Sequence, residues 1–223
     1  MKKIVLALVL AVVSLSAVAQ SREFIRNEIR KHGECKNVAI TKSNGDLMIY
    51  GRNGWAATGC PTSLTNALHE LNEADELIKD VQLTDNGSWL IIYGNNGLRW
   101  DNIPYSLEKM LIKWNNNSET ITSVSFNDAG DWIAISTEHY AASSDWLQDW
   151  VAEGADKYGM VRATCVTDDA AVVVYEEGYR FYGNVPSEMK SKLNEVDFNV
   201  YYIKIAGTAW FMSDGKGAYS YHM

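Results

Sequence analysis

The clearest pattern of apolar and polar positions runs from Val81 to Pro104. Val81 and Leu83, then Leu90-Ile91-Ile92-Tyr93, are β-formers, bounded by Asp85-Asn86-Gly87 and Gly94-Asn95-Asn96-Gly97. Asn-Gly and Asp-x-Gly tolerate positive φ, which tight turns between neighbouring strands need. The spacing predicts three strands in a meander. Asp101-Asn102-Ile103-Pro104 then opens a helix, since proline loses nothing in a first helical turn. Leu107, Leu111 and Trp114 follow at i, i+4 and i+7, one apolar helical face. Asn115-Asn116-Asn117 ends the helix, and Ile121 and Val124 begin another strand.

The same pattern recurs on a shift of 43 residues. Val38 maps to Val81 and Val124, Tyr50 to Tyr93, Gly54 to Gly97, Pro61 to Pro104, Leu64 to Leu107 and Leu68 to Leu111. Trp89 maps to Trp132 as Gly87 maps to Gly130. A fourth copy carries Val172-Val173-Val174-Tyr175, Gly178, Pro186, Met189 and Leu193, and has lost the glycine of its first turn. Ile203, Ile205, Trp210-Phe211-Met212 and Gly217 start a fifth. A period of this length marks a repeat architecture.

The ends complement one another. Ser21 to His32, with Ile25 and Ile29 at i and i+4, reads as a helix with no hairpin before it. The last copy, running to Met223, has a hairpin and no helix after it. The expectation is therefore α+β: a closed ring of five β-β-β-α repeats, with the N-terminal helix completing the last one. Closure would remove the exposed strand edges that an open array leaves at both ends. The alternative is an open solenoid whose first helix is a cap.

Composition adds compartment and charge. Residues 1–19 read as a cleaved signal peptide: Lys2-Lys3, an apolar run from Ile4 to Leu15, then Ala17-Val18-Ala19. The run falls short of the roughly 20 residues a membrane span needs. Residues 20–223 then form one exported domain, periplasmic or secreted. Loss of Lys2 and Lys3 leaves 18 basic against 28 acidic residues, a net charge of −10. That balance disfavours nucleic acid and anionic membranes as partners. A monomer without cofactor is expected.

A hairpin carrying Gly-x-Trp, a third strand after Asn-x-Gly and a helix opened by proline stand here as GSWLIIYGNNG, GDWIAIS and IPYSLEKML. The combination resembles tandem-repeat secreted bacterial proteins of uncharacterised function, over most of residues 38–223. The cyclic order of elements also resembles the pentein, or α/β-propeller, arrangement. A five-bladed β-propeller with outer helices fits equally. The pentein resemblance implies at most a fold, because the Asp, Glu, His and Cys motifs of pentein enzymes are missing here.

Candidate chemistry is sparse. Cys35 precedes the first strand of the first repeat and Cys60 follows its third, so a Cys35–Cys60 disulfide is expected, with Cys165 a buried thiol. His32, His69, His139 and His222 show no metal-ligand spacing. The acidic turns at Asp85, Asp128, Asp168-Asp169 and Asp214 match no calcium loop, and hairpins favour such residues for backbone reasons. The sequons at Asn86 and Asn116 read as chance. Trp89, Trp132 and Trp210 share one second-strand position and read as core. The third strands carry Trp55, Trp100, Tyr140, Tyr179 and Tyr219, with Tyr182 and Tyr221, in half-polar surroundings. Flat rings with polar edges suit stacking on sugars or packing on a protein partner, and equally suit filling the joints between repeats. The function expected is a binding module, with carbohydrate or an envelope glycan as first ligand. Alternatives are a protein-interaction scaffold and a pentein-type enzyme in which Asp131, Glu138 or Glu177 meets His139 and a cysteine.

Overall fold

The structure, a computed structural model, describes residues 23–223. The expected leader and the Ser21 cap lie outside the described residues. Helix α1 covers residues 23–32. The first unit then comprises β1 (Asn37–Ile40), β2 (Asp46–Tyr50), β3 (Gly54–Thr58) and α2 (Thr62–Glu73). The second comprises β4 (Ile78–Leu83), β5 (Trp89–Tyr93), β6 (Gly97–Asp101) and α3 (Tyr105–Asn116). The third has β7 (Ile121–Phe126), β8 (Trp132–Ser136), β9 (Tyr140–Ala142) and α4 (Asp145–Tyr158). The fourth has β10 (Val161–Val166), β11 (Ala170–Tyr175), β12 (Tyr179–Gly183) and the short α5 (Ser187–Leu193). A last sheet, β13 (Tyr202–Ala206), β14 (Ala209–Ser213) and β15 (Tyr219–His222), ends the chain.

Each unit is a three-stranded antiparallel meander, as the turn chemistry predicts. The prolines stand one residue earlier than a first helical position. Pro61, Pro104 and Pro186 are extended N-cap residues, and their carbonyls accept from Thr65, Glu108 and Lys190. Ser144 replaces proline before α4, and its Oγ accepts from the Leu147 amide at 3.3 Å.

Burial explains why a single unit needs its neighbours. The first two strands are buried on both faces over most of their length, whereas no third-strand residue is fully buried and the ends of β6, β12 and β15 are exposed. Each helix inserts its apolar face between consecutive sheets. Leu64, Leu68 and Leu71 of α2 pack on both Leu47 and Ile49 of the first sheet and Val81 and Ile91 of the second. Fully burying one such side chain contributes about 1.5–3 kcal/mol. Helices α3, α4 and α5 repeat this between later pairs of sheets. Ile25 and Ile29 of α1 pack with Val38 and Met48 of the first sheet, with Phe211 of the last, and with Met223 beyond it.

The first strands lie beside one another in the order β1, β4, β7, β10, β13, and β1 also touches β13. A bulge recurs at the start of β4, β7 and β10, between Ile78 and Asp80, Ile121 and Ser123, and Val161 and Ala163. An extra residue there re-aims the following side chain.

Candidate functional site

The first strands of all five sheets bound a narrow cavity. Its wall includes Ala39, Gln82, Ser125, Cys165 and Lys204, one side chain from the same register position of each strand. Asp80 lies next to it and is fully buried. The Asp80 Oδ1 accepts from Lys204 Nζ at 2.7 Å and Asn37 Nδ2 at 2.6 Å, and its Oδ2 accepts from Gln82 Nε2 at 3.0 Å. Lys204 also donates to the Val81 carbonyl at 3.1 Å. The charge is thus paired and hydrogen-bonded, as a buried ion pair must be. The cavity measures about 60 Å³. That volume holds a few waters, and ligand pockets start at roughly 300 Å³.

The acidic turns at one mouth of this cavity tie units to one another. Asp85 accepts from the Ser43 amide at 2.7 Å, and Asp128 from the Asn86 amide at 3.2 Å. Lys42 reaches Asp169 at 3.3 Å. Among the described residues no group of three or more His, Cys, Asp or Glu is placed to hold a metal.

The residues expected for a guanidine-modifying enzyme do not converge. Cys165 lines the cavity, but no histidine does. Burial pushes the Cys165 thiol up to about 11, although Lys204 pulls the other way. His139 instead pairs its Nδ1 with Glu119 at 3.0 Å, and Ser136 Oγ donates to the same carboxylate at 2.9 Å. Asp131, Glu138 and Glu177 are absent from the cavity wall.

The expected disulfide is not formed. Cys35 and Cys60 are free thiols. Cys35 packs in the layer between the last and first sheets, and Cys60 against the layer between the first and second. The first sheet stands between them, because a strand-by-strand meander puts its two ends in different layers.

The third-strand aromatics occupy the joints. Trp55, Trp100, Tyr140, Tyr179 and Tyr219 are all half-buried, and each packs against a different one of the five inter-sheet clusters. Tyr179 also lines a groove with Tyr158 and Phe198, but its hydroxyl is engaged by Asn194.

One third-strand aromatic, Tyr182 of β12, stays exposed and forms an aromatic surface at the junction of the third and fourth units. A groove of about 410 Å³ runs there between α4 and the end of β12. Its floor is Leu147, Val166, Ala170 and Ala171. Its walls are Trp146, 52% exposed, and Tyr182, 54% exposed. The two rings meet edge to face, with centroids 4.8 Å apart and planes at 62°. Trp146 also stacks along Trp150 at 6.3 Å, and the Arg180 guanidinium covers Trp150 at 5.2 Å. The pair is therefore braced from behind. Asp131, Asp168 and Asp169 supply carboxylates, and no basic residue lines the groove.

A break in the repeat creates this groove. In two other units a serine at the second helical position receives the indole N–H of the next sheet: Trp89 Nε1 donates to Ser63 at 3.0 Å, and Trp132 Nε1 to Ser106 at 2.9 Å. At the third junction the types are exchanged. Trp146 takes the helical position of the serine, and Ala171 takes the strand position of the tryptophan. The small alanine leaves a hollow, and the displaced indole stands over it. Gly183 shapes the far edge. Its φ is +69°, and a Cβ there would collide with the Asp169 carbonyl, so glycine alone allows the end of β12 to approach the acidic turn. The strand and helix positions, read in parallel along the sequence, carry this exchange; alignment of the strand tryptophans alone does not show it.

No protein-family model and no curated protein matches this chain.

Proposed function

We propose that the protein is a glycan-binding module built as a closed five-unit ring. The single observation that carries the binding reading is the touching pair Trp146 and Tyr182 above a hollow edged by carboxylates. Sugars offer C–H faces to aromatic rings and hydroxyl donors to carboxylates, and this groove presents both. Its volume lies within the usual range of ligand pockets. Rings 4.8 Å apart leave no room for a quaternary ammonium between them, which argues against a cation cage. The half-buried third-strand aromatics lend the glycan reading less support than the sequence pattern does.

Closure is supported by three features. Helix α1 packs on both the first and last sheets. Strand β1 lies beside β13. Ser213 Oγ donates to the Lys36 carbonyl at 2.5 Å. Export follows from the leader pattern, and a rigid ring holding a surface groove suits an extracellular binding role.

The test is a broad glycan and polysaccharide array probed with purified protein beside Trp146→Ala and Tyr182→Ala variants. Specific signal lost in both variants is the expected result. A blank array, or signal indifferent to both substitutions, would overturn the reading and direct attention to a protein partner.

A further inference from the structure

We infer that the groove selects glycans carrying free amines, such as glucosamine oligomers, over neutral or acidic ones. The inference rests on the glycan reading and adds the charge of the ligand. Three carboxylates face the groove and no cation does. They differ in how far the protein already satisfies them. Burial raises the Asp169 carboxyl, but hydrogen bonds from Thr167 and Lys42 outweigh it and hold it below the ordinary range. Asp131 receives only neutral donors, from Asn127 and Ser143, each at 3.4 Å. Asp168 has no hydrogen-bond or ion-pair partner among the described residues. Two carboxylates therefore stand beside the aromatic platform without a counter-charge.

A neutral sugar hydroxyl satisfies such a carboxylate with an ordinary hydrogen bond. A protonated sugar amine makes a charge-assisted one, roughly twice as strong. A uronic acid or phosphorylated glycan brings like charge to the same place and is repelled. The acidic balance of the whole chain adds to that bias, with 28 acidic residues against 20 basic ones. The aromatic pair supplies affinity that is blind to charge, and the aspartates supply the discrimination.

The experiment is calorimetric titration with three matched oligosaccharide sets: glucosamine oligomers, their N-acetylated forms and uronic acid oligomers. Work at about pH 5.5 keeps the sugar amine protonated. We expect the free-amine oligomers to bind about tenfold tighter than the N-acetylated ones, the worth of one charge-assisted hydrogen bond. The ratio should shrink as ionic strength rises to about 0.15 M, where screening acts within about 8 Å. It should shrink also in Asp168→Asn and Asp131→Asn, with melting temperatures reported alongside. Equal binding of the charged and acetylated sets, or preference for uronates, overturns the inference while leaving the glycan reading standing. Absence of binding by all three sets, together with a blank array, removes both.

Discussion

Lys204 Nζ lies 2.7 Å from Asp80 Oδ1, joining the last sheet to the second unit across 124 residues of sequence. Both side chains are buried. Removal of one partner strands the other charge in a dry interior. Lys204→Met should cost about 3–5 kcal/mol in urea unfolding. The double variant with Asp80→Asn should cost much less than the sum of the single changes. Strict additivity would mean that the pair is not coupled.

Trp210 shows what the repeat leaves unfinished. Its indole N–H is buried with no partner among the described residues, whereas Trp89 and Trp132 each find a serine. The corresponding helical position holds Glu188, which pairs with His222 at 3.0 Å at the surface. Glu188→Ser should supply the missing acceptor and stabilise the protein by about 1 kcal/mol. The exposed pair it removes contributes little. Ser63→Ala and Ser106→Ala should move stability the other way. Melting curves of the three variants decide it, and a destabilised Glu188→Ser would sink the proposal of a shared motif.

Glu119 sets part of the acid limit. Burial raises its carboxyl, but hydrogen bonds from His139 and Ser136 prevail and hold it below the ordinary carboxylate range. A depressed folded value means that the contribution is complete above the unfolded value of about 4.3 and disappears as pH falls through the folded one. Glu119→Gln should therefore lower stability near neutrality and flatten the loss below about pH 4.3. Denaturation midpoints measured across that range, with an unchanged acid limb in the variant, would contradict the assignment.

Two glycines with positive φ make a controlled comparison. At Gly183 an added Cβ meets the Asp169 carbonyl, while at Gly130, with φ +92°, nothing lies within 4 Å. Gly130→Ala should cost about 1 kcal/mol, from backbone conformation alone. Gly183→Ala should cost about 1–3 kcal/mol and also weaken the proposed glycan binding, because the acidic turn must shift. Equal losses at both sites would show that the close approach is unimportant.

The thiols give a simple count. Burial pushes Cys35 and Cys60 up to about 12, and Cys165 up to about 11. The native protein should react slowly with a thiol reagent at pH 8, since the thiolate is the reactive form. The denatured, unreduced protein should yield three thiols. A count of one would restore the disulfide.

The sequence by itself determined the unit. Turn chemistry at Asp85-Asn86-Gly87, the β-run from Leu90 and the face of Leu107, Leu111 and Trp114 are local, and backbone sterics and side-chain period suffice to read them. The complementarity of the N-terminal helix and the last hairpin was legible for the same reason. Tertiary structure decided every pairing that crosses units. Lys204 finds Asp80, Cys35 parts from Cys60, and Trp146 meets Tyr182 through distances set by stacked sheets, where sequence separation carries no information. The third-strand aromatics also changed character there. Their half-polar neighbours look like a surface in sequence, yet helix insertion between sheets turns Trp55, Trp100, Tyr140, Tyr179 and Tyr219 into joints and leaves Tyr182 of the same set exposed. The exposed pair appears only where the exchange of serine and tryptophan breaks the repeat, because a hollow needs both the small residue on the strand and the large one on the helix.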